Sequence, residues 1–192
     1  MGERVTRAPV AAQGVRAYGL SMSATPLVVV MGISGVGKSA VGHELADRFG
    51  VEYEDGDAFH SEANIAKMSA GTPLTDEDRW PWLADIGTWL SGHAAVGGVV
   101  SCSALKRAYR DVLTDAAPDT MFLHLTGDHE LIKSRMESRD HFMPTSLLES
   151  QEKTLEPLQD DERGWAFDIA PSPAEIVDEF IARSELSEGD RA

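Results

Sequence analysis

The segment Gly32-Ile-Ser-Gly-Val-Gly37-Lys38-Ser39 constrains this chain more than any other, because it matches G-x-x-x-x-G-K-[ST] at every specified position. It follows an apolar run, Leu27 to Met31. It precedes Val41, Leu45 and Phe49 at i, i+4, i+8 spacing, with Gly50 placed to end a helix. A strand, a glycine-rich loop and a helix in that order let backbone N–H groups wrap an anion while the positive end of the helix points at it. Gly32, Ile33, Ser34, Gly35, Val36, Gly37, Lys38 and Ser39 are therefore assigned to a nucleoside triphosphate. Lys38 would bridge the β- and γ-phosphates, and the Ser39 hydroxyl would ligate Mg²⁺.

The alternation continues along the chain. Apolar runs at Val51 to Glu54, Val99 to Cys102, Met121 to Leu125 and Trp165 to Ile169 predict four further strands. Helices are expected over Ser61 to Ala70, Pro81 to about His93 with Pro81 at the first helical position, Arg107 to Ala116, Asp128 to Ser138 and Ser146 to Leu155. A last helical stripe contains Ile176, Val177, Phe180 and Ile181. Apolar runs without polar alternation belong to strands covered on both sides. The expected class is thus α/β, a P-loop NTPase-type parallel five-stranded sheet with helices on both faces and a small lid. One domain is expected over residues 25–185, with the lid at about 135–150 and a flexible tail at 186–192. Residues 1–24 carry three Arg against one acid and show no steady period. They read as a disordered extension, an Arg-rich transit peptide being the alternative, and Met22 is a candidate translation start.

Rival chemistries fail on inspection. Gly35-x-Gly37-x-x-Ala40 also fits a dinucleotide fingerprint, but Gly32 interrupts the strand that reading needs, and it leaves Lys38-Ser39 unexplained. No H-E-x-x-H occurs, and Ser34 lacks the final glycine of a nucleophile elbow. Asn64 is the only asparagine, so a guanine-reading N-K-x-D is absent. The formal charge of −15, from 17 Lys+Arg against 32 Asp+Glu, opposes nucleic acid and anionic membranes as partners. No apolar run approaches the ~20 residues of a membrane span. The single cysteine, Cys102, precludes an intramolecular disulfide and suits a cytoplasmic setting.

The second strand ends in Glu54-Asp55-Gly56-Asp57-Ala-Phe-His60. Beside a phosphate loop, two carboxylates flanking a glycine can divide the work, one serving the Mg²⁺ waters and the other an acceptor hydroxyl. Asp57 is the candidate base.

Read in series, Gly32-x4-Gly37-Lys38-Ser39, Asp55-Gly56-Asp57-x-x-His60, Asn64-Ile65-x-Lys67-Met68, Gly71-x-Pro73-Leu74-x-Asp76-x-Asp78-Arg79-x-Pro81-Trp82-Leu83, Cys102-Ser103-Ala104-Leu105-Lys106-x-x-Tyr109-Arg110 and His141-Phe142 closely resemble the bacterial gluconokinases related to shikimate kinase. The likeness spans about residues 26 to 185. It implies ATP- and Mg²⁺-dependent phosphorylation of the 6-hydroxyl of D-gluconate to 6-phosphogluconate, with ADP released, and it suggests a homodimer. It makes Asp57 the base, implies that Asp55 supports Mg²⁺ and sets Arg79 against the acceptor carboxylate, a role that suits the guanidinium fork. Lys106 and Arg110 become candidates for substrate or phosphate contact, as do His60 and His141 for the sugar acid or lid. In the resembling kinases Arg135 and Arg139 fall in a mobile lid, with Arg135 expected near adenine and Arg139 near the phosphates. Trp80, Trp82 and Trp89 read as core or subunit interface. Another sugar acid or shikimate as acceptor, and a nucleotide-dependent binding module, are the competing readings.

Both proposed substrates are anions, so an acidic protein must gather its positive charge locally. Lys38, Arg79, Lys106, Arg107, Arg110, Arg135 and Arg139 all fall in motif or lid segments. They predict a small positive cleft in a negative shell.

Overall fold

A computed structural model of the chain describes residues 26–137 and 145–189. The expected N-terminal extension, Arg139 and His141 lie outside the described residues. The order is β1 (Leu27–Met31), α1 (Lys38–Phe49), β2 (Glu52–Asp55), a 3₁₀ turn (Gly56–Phe59), α2 (Glu62–Ser69), α3 (Asp76–Gly92) and β3 (Gly98–Ser101). It continues through α4 (Arg107–Ala116), β4 (Met121–Thr126), α5 (His129–Glu137), α6 (Thr145–Thr154), β5 (Gly164–Asp168) and α7 (Pro173–Gly189).

The five strands pair in parallel in the order β2-β3-β1-β4-β5. The five parallel strands are as expected, and the structure supplies their order. β1 lies at its centre with every residue buried, whereas the edge strand β2 is polar and partly exposed. The chain leaves β1 in one direction toward β2 and then returns across the sheet. Right-handed crossovers therefore put α1 on one face and α3 and α4 on the other. α1 packs on β1, β2, β3 and α7, while α3 packs on α4. The reversal beside β1 is a topological switch point, which opens a crevice at the carboxyl ends of the strands.

Two expectations are corrected. α3 begins at Asp76, so Pro81 lies inside the helix and not at its first position. The missed signal is a capping box: the Thr75 hydroxyl accepts from the Asp78 N–H at 3.3 Å and the Asp78 carboxylate accepts from the Thr75 N–H at 3.0 Å. Asp78 also receives Lys67 Nζ at 2.6 Å, and its carbonyl receives the Asn64 amide at 2.9 Å, which ties α2 to the start of α3. The second correction is at the C-terminus, where α7 continues to Gly189, past the expected boundary at 185.

Candidate active site

The carboxyl ends of β1, β2 and β3 surround a cavity of about 220 Å³. Ser34, Gly35, Gly37, Lys38 and Ser39 form one wall, and Asp55, Asp57, His60, Arg79, Trp82 and Ser101 to Ser103 form much of the rest. Ile33 and Val36 are buried, so their side chains anchor the loop while its backbone faces the cavity side. Gly37 adopts φ 97° as the N-cap of α1, a left-handed conformation that L side chains resist. Gly35, at φ 86°, has a second reason to lack a side chain, because a Cβ there would fall 2.4 Å from Cγ of Met136 on α5. Lys38 Nζ donates to the Ile33 carbonyl at 3.0 Å, which folds the side chain back over the loop.

The acidic turn is built on Asp55. Its Oδ1 accepts from the Asp57 N–H at 3.1 Å and from Ser101 Oγ at 3.0 Å, and Tyr53 O–H donates to that same Ser101 oxygen at 3.1 Å. Its Oδ2 lies 3.5 Å from Ser39 Oγ. Gly56 is required between the two carboxylates because a Cβ would meet the Ser101 carbonyl at 2.1 Å. The Asp57 side chain is left 86% exposed and lines the cavity. Ser39 and Asp55 thus fit the hydroxyl and carboxylate that a triphosphate-bound Mg²⁺ requires, the phosphates and waters completing such a shell. Among the described residues no group of three or more His, Cys, Asp or Glu could hold a metal alone.

Against the same turn the His60 ring stacks on Trp82 with centroids 4.4 Å apart, and the Trp82 indole N–H donates to the Gly56 carbonyl at 2.7 Å. Burial lowers the His60 pKa below the usual histidine value, Asp57 opposing the shift and Arg79 adding to it, which favours a neutral ring. Cys102, although it lines the cavity, is 2% exposed, and burial pushes its thiol pKa up to about 12.

Arg79 lines the cavity, held by its Nη1 on the Leu74 carbonyl at 2.6 Å and near Tyr109 Oη at 3.4 Å. Tyr109 in turn donates to Asp76 at 2.6 Å. Lys106 does not line the cavity. It forms a two-pronged ion pair with Asp76 at 2.8 Å, and hydrogen bonds from Lys106 and Tyr109 hold the Asp76 carboxyl below the usual carboxylate range. Its place is behind Arg79, bracing the same network.

Arg110 corrects the expectation of a substrate contact. Its side chain is fully buried, pairs with Glu162 and donates to the carbonyls of Ala104, Glu156 and Pro157 at 3.0–3.2 Å. An arginine with its donors so engaged, and no exposed surface, has none to offer a ligand. Arg107 is likewise paired with Asp111 and Asp161, and Arg135 donates to the Ile169 carbonyl beyond β5. The positive cleft is therefore narrower than expected: of the cations predicted to form it, Lys38 and Arg79 line the cavity among the described residues.

Gln151 on α6 was not anticipated. Its Oε1 accepts from the Ser34 N–H at 2.7 Å, and the residue lines the cavity beside Ser150. Ser101 and Tyr53, which brace Asp55, were also missed; a serine or tyrosine in a strand carries no local mark of such a role.

A shikimate kinase family model matches residues 34–182. The gluconokinase of Gluconobacter oxydans is 44% identical over 160 residues, which cover 80% of this chain and 88% of that protein. The thermoresistant gluconokinase of Escherichia coli is 41% identical over 133 residues, covering 68% and 76%. A crystal structure of a gluconokinase from Sinorhizobium meliloti superposes with a TM-score of 0.79 at 48% identity, covering 85% of this chain and 94% of that one. A central phosphate loop, a two-carboxylate turn and these relatives lead to one assignment: the chain belongs to the gluconokinase family, within the shikimate kinase group of P-loop kinases.

Proposed function

We propose that the protein is an ATP-dependent gluconokinase that transfers the γ-phosphoryl group to the 6-hydroxyl of D-gluconate, releasing ADP and 6-phosphogluconate. The observation that carries the reading is the placement of Asp57 and Arg79 on one cavity with Lys38, a carboxylate and a guanidinium set around the phosphate loop. Asp57 accepts or orients the proton of the attacking hydroxyl, and Arg79 grips the acid's carboxylate in a two-pronged contact. Lys38 offsets charge on the transferring phosphoryl group, and the loop holds the triphosphate in line. Bound Mg²⁺, on Ser39 and through water on Asp55, would neutralise the triphosphate.

Arg139 and His141 keep their assignments to the phosphates and the sugar acid, and Arg135 its assignment to the adenine side. A cytoplasmic setting and a homodimer belong to the same reading. No helix among the described residues is long and apolar enough to cross a membrane.

The test is ADP formation from Mg-ATP with and without D-gluconate, run beside shikimate and other sugar acids. Gluconate-dependent turnover is expected. Retained ATP binding without turnover on any acid would favour a nucleotide-operated binding module. Arg79→Ala should raise the KM for gluconate about tenfold or more through loss of a charge-assisted contact, with the KM for ATP little changed. Steady-state kinetics with each substrate varied will show it, and an unchanged gluconate KM would remove the carboxylate clamp.

A further inference from the structure

The contact between Gln151 and Ser34 joins residues 117 positions apart and brings a helix from the far half of the sequence onto the rim of the phosphate loop. The amide orientation follows from chemistry. A backbone N–H can only donate, so the atom 2.7 Å from Ser34 N is the oxygen, and the Gln151 Nε2 donors lie on the other side of the planar amide. Nε2 has no hydrogen-bond partner among the described residues, and Gln151 lines the cavity that also holds Asp57 and Arg79.

The position of this amide is built in. Just past the end of α6, the Glu156 N–H donates to the Leu105 carbonyl at 2.7 Å, and the Glu156 carboxylate accepts from the Arg107 N–H at 2.7 Å. Arg110 takes the Glu156 and Pro157 carbonyls at 3.0 and 3.1 Å. The chain just past α6 is therefore clamped five residues beyond Gln151, which fixes the backbone that presents its side chain.

The Ser34 N–H contact sets this amide at the edge of the phosphate loop, on the cavity shared with Asp57 and Arg79. Lys38 and Arg79 already supply the cavity with positive charge. A neutral, planar two-proton donor adds something different, a directional hydrogen bond suited to an uncharged hydroxyl. Resting on the function proposed above, we propose that Gln151 is an acceptor-binding residue: its Oε1 stays on the Ser34 N–H while its Nε2 donates to a hydroxyl oxygen of the polyhydroxy acid.

Two substitutions in the full-length chain test this, with D-gluconate and Mg-ATP varied separately. Gln151→Met is close in size and uncharged, and it removes the donors. It should raise the gluconate KM about tenfold, the ATP KM staying within about threefold. Gln151→Glu keeps an oxygen for Ser34 but loses the donors, so it should show the same gluconate defect. If the Glu variant binds gluconate like the unmodified enzyme while Met does not, Gln151 merely satisfies the Ser34 N–H and the proposal fails. It fails equally if Met raises both KM values in parallel, or neither. An unmodified chain with no turnover on gluconate would instead remove the functional reading itself, which separates the two failures.

Discussion

Asp57→Asn should lower kcat by about a hundredfold or more while ATP affinity stays within a few-fold. The substitution keeps size and removes the charge that draws a proton from the attacking hydroxyl. The turn itself should survive. The bond that shapes it runs from the Asp57 backbone N–H to the Asp55 side chain, and the Asp57 carboxylate projects into the cavity with 86% exposure. Nucleotide titration beside steady-state ADP release will separate binding from chemistry, and turnover at the level of the unmodified enzyme would exclude Asp57 as the base. A matched loss of ATP affinity would point instead to damage at Asp55 and the Mg²⁺ side of the turn.

The second large effect is on stability. Arg110→Ala should cost about 3–5 kcal/mol, because it leaves Glu162, itself 5% exposed, as a buried carboxylate without its partner. The carbonyls of Ala104, Glu156 and Pro157 lose their donors as well. For a domain of this size that corresponds to a fall in melting temperature of roughly 10 °C. At a temperature where the variant is still folded, its gluconate KM should lie close to that of the unmodified enzyme, as befits a residue remote from the ligand. Calorimetric melting with parallel kinetics checks both halves. A normal melting temperature with a raised gluconate KM would restore Arg110 to the substrate site.

The contrast between those two residues shows what a single sequence reveals. Asp57 could be placed at the cavity from the sequence because its position depends on near neighbours: a strand end, a permissive glycine and a second carboxylate two positions away. The central strands were readable for a related reason, since strands covered on both faces must be apolar throughout, as β1 is, whereas the polar edge strand β2 was placed by the alternation of strand and helix. Arg110 was misassigned because its partner is 52 residues distant and no local pattern announces the pairing. Gln151 escaped notice for the same reason, one amide in a polar helix whose meaning comes from Ser34. The start of α3 was a different kind of miss. Thr75-x-x-Asp78 was there to be read, but Pro81 offered a more familiar first residue. The cleft expectation erred on the same principle, since charge composition counts cations without showing which of them acids such as Asp76, Asp161 and Glu162 already hold.

The chain's lone sulfhydryl lies against the reaction chamber yet is sealed from solvent and held protonated at neutral pH, with its pKa pushed up to about 12. Thiolate is the species that maleimides and iodoacetamides attack, so this side chain is nearly inert toward them. The natural protein consequently serves as its own cysteine-free background. A cysteine introduced on an exposed face of α6 would take up a fluorophore selectively, and motion of that helix relative to the phosphate loop could be followed without first stripping thiols from the enzyme.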